Sequence, residues 1–115
     1  MIKLEKVTQQ ELVEIAEING YNHFHPDYFK NSELSPVTWL MECILLQIWL
    51  RDNHNIHVML HLDQTMEPKY CYSIHKFIEE EIEWKNLIYP RSYSDLYYKY
   101  GEAVTDGLYY ALLTL

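Results

Sequence analysis

Basic residues are scarce in this 115-residue chain: nine Lys and Arg stand against seventeen Asp and Glu, for a formal net charge of −8. Binding to DNA or RNA through phosphates needs a basic patch, and no run of Lys or Arg supplies one. Nucleic acid is therefore not an expected partner. Cysteine is nearly missing as well. Cys43 and Cys71 form no Cys-x-x-Cys pair and cannot build a disulfide framework. Cys43 lies in an apolar run, where a free thiol acts as a small hydrophobe, and this usage suits a reducing cytosol. The most apolar stretch, Val37 to Leu50, carries Glu42 and Gln47 and falls short of the ~20 residues that cross a bilayer. The opening MIKLEK has neither an apolar signal core nor an Arg/Ser-rich transit character. A cytoplasmic, non-membrane protein is the expectation.

Apolar residues, by contrast, are plentiful. With 49% hydrophobic residues and 15% aromatics, one domain spanning 1–115 can bury a core without a metal or disulfide staple. No repeat, low-complexity tract or linker divides it. The acidic balance fits either ordinary solubility or a basic protein partner.

Periodicity predicts an α+β fold. Residues 2–7 read as a short edge strand. Thr8 and Glu11 form a capping box opening a helix over 9–19 that Asn19-Gly20 stops. Residues 21–34 read as an ordered aromatic loop. Ser35-Pro36 starts a second helix, 36–53. Thr38 and Glu42 fall on one side of it, and Gln47 and Arg51 on nearly the opposite side, so no continuous polar stripe forms. Such a helix is either central or part of a subunit interface. Residues 55–63 and 69–78 alternate and predict an antiparallel hairpin across a 64–68 turn. The acidic 79–83 segment leaves open a helical turn, a third strand around 84–89, or both. Ser94 caps a last helix over 94–114. Its apolar side holds Tyr97, Tyr100, Val104, Leu108, Ala111, Leu112 and Leu115, and Asp95, Lys99, Glu102 and Asp106 take the opposite, solvent side.

Two segments resemble a family. Trp49 to Val58 (WLRDNHNIHV) and Tyr100 to Leu112 (YGEAVTDGLYYAL) are similar to the WLRxxHxIxI and YxEAxxxGLxxAL patterns of small, uncharacterised phage and prophage proteins. The resemblance implies a helix–hairpin–helix order and a mobile-element setting. It implies no activity.

Chemistry is sparse. A hairpin closing at 64–68 makes facing residues sum to 132, so His57 faces His75, Met59 faces Ser73, and His61 faces Cys71. All six share the face opposite Ile56, Val58, Leu60 and Leu62. Facing Cβ atoms lie ~4.5–5.5 Å apart, close enough for His57 and His75 to share a proton or metal. Cys71 and His75, four apart on one strand, are ~13 Å apart and cannot act as a nucleophile–base pair. His23-x-His25 with Asp27 is a second candidate metal group, although such loops usually just pack. No Gly-x-Ser-x-Gly, phosphate loop or His-Glu-x-x-His occurs. Among eleven tyrosines, Tyr93, Tyr97, Tyr98, Tyr109 and Tyr110 gather near the C-terminal helix beside acids, a composition that suits protein binding.

The leading expectation is a non-enzymatic interaction or accessory protein of mobile-element type, acting through an acidic, Tyr-rich surface and needing no cofactor. The alternative is a small metal- or ligand-binding protein using the His57/His75 face, with Met59, His61 and Cys71 beside it. A homodimer joined through the 36–53 helix is a third.

Overall fold

Thr8 and Glu11 make the reciprocal capping box that their spacing predicts, each side chain accepting the other's backbone N–H at 3.1 Å. Helix α1 (Gln9–Ile18) follows and stops at Asn19, with Gly20 at φ 98°. The computed structural model describes residues 7–24, 34–63, 69–88 and 99–115. The 2–6 part of the expected first strand, His25 and Asp27, the 64–68 turn, Ser94, and Tyr93, Tyr97 and Tyr98 lie outside these residues. Helix α2 (Pro36–His54) has Ser35 as its cap and ends at Asn55, whose φ of 55° is a conformation asparagine tolerates.

Strands β1 (Ile56–Asp63), β2 (Lys69–Ile78) and β3 (Glu83–Ile88) form one antiparallel sheet in that order. The hairpin register runs from Ile56 opposite Lys76 to Asp63 opposite Lys69, each pair summing to 132 as predicted. The acidic segment is a turn at 79–82 leading into β3, with Ile82 at φ 51°. Helix α3 (Tyr100–Leu113) packs on β1, β2, α1 and α2, and α2 also touches β1. Among the described residues, three helices on a three-stranded antiparallel sheet make the α+β fold that the periodicity predicts.

The central helix is α3, not α2. Every residue from Ala103 to Leu108 is buried, because the sheet, α1 and α2 close on three sides of it. Small side chains allow this. A Cβ on Gly107 would stand 2.9 Å from Val58 Cγ1 and 3.1 Å from Tyr72 Cγ. Burial reaches the polar residues too. Thr105 accepts the Trp39 indole N–H at 2.8 Å and donates to the Gly101 carbonyl at 2.6 Å. Asp106, expected on the solvent side, is buried and accepts the Val7 N–H at 2.9 Å. A helical wheel counts polarity, and it cannot see that a distant backbone N–H will meet the carboxylate.

Around α3 the core gathers Leu12, Val13 and Ala16 of α1, Cys43, Leu46 and Leu50 of α2, and Ile56, Tyr72 and Ile74 of the sheet. Tyr21 is buried edge-on to Phe24 and Trp49. Burial and the Glu42 carboxylate push its phenol up to about 12. Burial pushes the Cys43 thiol up to about 12 as well, against a lowering hydrogen bond with Thr105. At neutral pH Cys43 is a thiol and unreactive.

The Gly107 contact generates a paired test. Gly107→Ala gains ~1 kcal/mol of helix propensity but overpacks against Val58 and Tyr72, and should lose about 1–2 kcal/mol net. Gly101→Ala meets nothing within 4 Å and should gain up to ~1 kcal/mol. Urea unfolding midpoints check both; a stabilised Gly107→Ala would refute the close packing.

Candidate functional site

Among the described residues, two surfaces are candidates for chemistry or recognition: the sheet face turned away from α3, and the outer side of α2. On the sheet, antiparallel pairing sets His57 opposite His75, Met59 opposite Ser73 and His61 opposite Cys71. β3 then adds Asn86 opposite His75 and Trp84 opposite Phe77. Ser73 is the centre. Its Oγ lies 2.8 Å from His61 Nε2 and 2.8 Å from His75 Nε2, while His75 Nδ1 lies 2.7 Å from Asn86 Oδ1. With both rings neutral, one proton arrangement satisfies every bond. His75 Nδ1–H donates to Asn86, Ser73 O–H donates to His75 Nε2, and His61 Nε2–H donates to Ser73.

The imidazoles joined in this way are His61 and His75, through Ser73, rather than the facing pair His57 and His75. His57 instead packs edge-on to Trp84, with ring centroids 4.8 Å apart. Its imidazole is held below the usual range by burial first, then by the Arg51 cation and His75. Met59 and His61 are exposed and Cys71 is buried. Neither Ser73 nor Asn86 belongs to the candidates named from the sequence. Ser73 needed the diagonal reach of His61, and Asn86 needed the β2–β3 register, which an irregularity between Ile74 and His75 shifts.

The order Asn86–His75–Ser73 has the connectivity of an orienter, base and nucleophile. Its geometry does not serve that role. Ser73 is fully buried, and the His61 imidazole is bonded to the oxygen that would attack. Among the described residues, no group of three or more His, Cys, Asp or Glu is placed to hold a metal. His23 is exposed and packs edge-on to Tyr21. The array is a polar tie across β1, β2 and β3.

Of the Tyr-rich group, Tyr109 and Tyr110 fall among the described residues. Tyr109 and Tyr110 are half-buried, edge-on to each other at 5.4 Å, and Tyr110 stacks on Tyr72 at 6.5 Å. These two rings finish the core, as rim packing of α3 requires.

The second surface is apolar. α2 turns Trp39, Cys43, Leu46 and Leu50 inward. On its other side Val37 is 71% exposed, Met41 62%, Ile44 53%, Leu45 51% and Ile48 39%. At ~100° per residue these five share about 100° of arc. Beside them, Gln47 Nε2 donates to the Val58 carbonyl at 3.3 Å, so α2 covers part of the β1 edge. A groove of about 350 Å³ between α2 and β1 is lined by Ile44, Ile48, Arg51, His57 and Met59 among others. No protein-family model, curated protein or solved structure matches the chain.

The lowered His57 value sets a pH dependence. Because the folded state takes up this proton less readily than the unfolded chain, the contribution is full above the unfolded imidazole value of ~6.5. It falls away as pH drops through the folded value. Urea unfolding between about pH 7.5 and about pH 5.5 should show stability declining on acidification, less steeply in His57→Gln. Arg51→Gln should raise the His57 value in an NMR titration. An unchanged value would remove Arg51 as a cause.

Proposed function

We propose that the protein is a non-enzymatic interaction protein, an accessory factor of mobile-element type, whose working surface is the aliphatic side of α2. One observation carries this reading: five aliphatic side chains occupy a single arc of one helix and stand 39% to 71% exposed. They leave on the order of 500 Å² of apolar surface in water, the upper range for the largest patch on a monomer, where such patches usually serve binding. The mobile-element setting draws on the resemblance of Trp49–Val58 and Tyr100–Leu112 to phage and prophage proteins.

A second reading has its own observation, the convergence of two imidazole nitrogens on Ser73 Oγ. In it, the outer sheet face takes a small ligand that replaces the serine between His61 and His75. Titration with Zn²⁺ or imidazole-binding ligands, followed on the histidine ring signals, should then move His61 and His75 selectively. If neither moves, that reading falls.

The leading reading is tested by affinity capture from host extract with wild-type protein and with an Ile44→Glu/Ile48→Glu variant. Both side chains are exposed in the single chain, so the variant should keep the wild-type fold by circular dichroism. The expected result is a specific protein, a native copy of this chain included, enriched at least ~10-fold by wild type over the variant, a loss of ~1.4 kcal/mol or more. Equal retention by both would reject α2 as the working surface.

A further inference from the structure

The aliphatic side of α2 is self-complementary. Laid antiparallel on a second α2 about a twofold axis between Met41 and Ile44, residues whose numbers sum to 85 come together. Val37 then meets Ile48, and Met41 meets Ile44. Four of the five exposed residues of the arc pair in this way, as an isologous contact between identical surfaces demands. We infer that the occupant of this face is a second copy of the chain, packed through α2 in an antiparallel, twofold-symmetric dimer. The inference rests on α2 being the working surface.

Charge supports a copy over a basic partner. Two chains of net charge −8 repel, so they associate only through a surface free of like charges. From Val37 to Leu50 the sole charged residue is Glu42, which is buried on the other side of the helix. A basic partner would gain nothing from such a face. At its end, Arg51 and Asp52 neutralise each other at 3.6 Å. The first turn of α2 holds no acid. In the antiparallel arrangement Asp52 of each copy lies beside the other's α2 N-terminus, and the opposed helix dipoles attract.

Area is sufficient as well. Adding the half-buried Leu40 and Gln47, exposed Arg51 and Asp52, and Met59 across the groove brings each face to about 800 Å², the share a standard interface takes from one partner.

Sedimentation equilibrium of the full-length protein across a wide concentration range, with Ile44→Glu in parallel, decides the matter. The expected outcome is a wild-type dimer and an Ile44→Glu protein whose dissociation constant rises at least ~100-fold, since the substitution places carboxylates in an apolar contact. Circular dichroism should show the variant folded, because Ile44 is exposed in the single chain. A Met41→Cys/Ile44→Cys protein should also oxidise to a disulfide-linked dimer. A wild-type monomer at every concentration overturns the dimer, as does a dimer that Ile44→Glu leaves intact. Capture of a different protein by wild type, lost in the Ile44→Glu/Ile48→Glu variant, would then show that α2 is still the working surface.

Discussion

The close seating of α3 on the sheet at Gly107 is the constraint from which the rest of the arrangement follows. With Val58 and Tyr72 standing where a side chain would go, the helix sits deeper than a residue with a Cβ would allow. That depth puts Thr105 and Asp106 out of reach of solvent. Buried polar groups without partners cost ~1–3 kcal/mol each, so their partners become structural requirements. Trp39 of α2 supplies an indole N–H, and the backbone ahead of α1 supplies the Val7 N–H. These two bonds tie the outer helices to α3 at defined heights. Hydrophobic burial supplies most of the energy, while the polar pair fixes which arrangement receives it.

Depth at α3 leaves α2 at the margin. A helix of Trp, Leu, Ile and Met is too wide to be closed in on three sides at the distance that Gly107, Ala103 and Ala111 allow. α2 therefore commits one side to α3 and β1 and leaves the opposite side in water. Aliphatic surface held there forgoes ~25 cal/mol per Å², on the order of 12 kcal/mol for a patch of this size. A domain with a total stability of ~5–15 kcal/mol rarely keeps such a surface without a use for it.

Much of this was legible in the sequence where the causes are local. The capping box, the Asn19-Gly20 stop, Pro36 at a helix start and the 132 register all follow from neighbouring residues and strand alternation. The alternatives for α2 were legible too, since a helix without a polar stripe must be central or at an interface. Choosing between them was not possible from periodicity, because the answer lies in the side-chain size of another helix. Asp106 misled for the same reason: polarity predicted solvent, and a backbone N–H 99 residues away claimed the carboxylate. On the sheet, alternation brought His57, His61 and His75 to one face correctly. The bonding partner, Ser73, and the orienting Asn86 emerge only when a third strand with an irregular register is added.

The two candidate surfaces differ in what a partner must displace. On the sheet, His61, Ser73, His75 and Asn86 satisfy one another, and Ser73 is closed off from water. A ligand entering there breaks three bonds worth ~0.5–1.5 kcal/mol each and must replace their geometry to break even. On α2, a partner displaces only water from aliphatic carbon, and the favourable term begins with the first contact. Association costs ~4–15 kcal/mol in lost freedom and ordering. A face burying ~500 Å² of aliphatic surface on each side meets that cost at ~25 cal/mol per Å², and the histidine array, already at rest, does not. The apolar helix is therefore a better candidate surface for a partner than the histidine array.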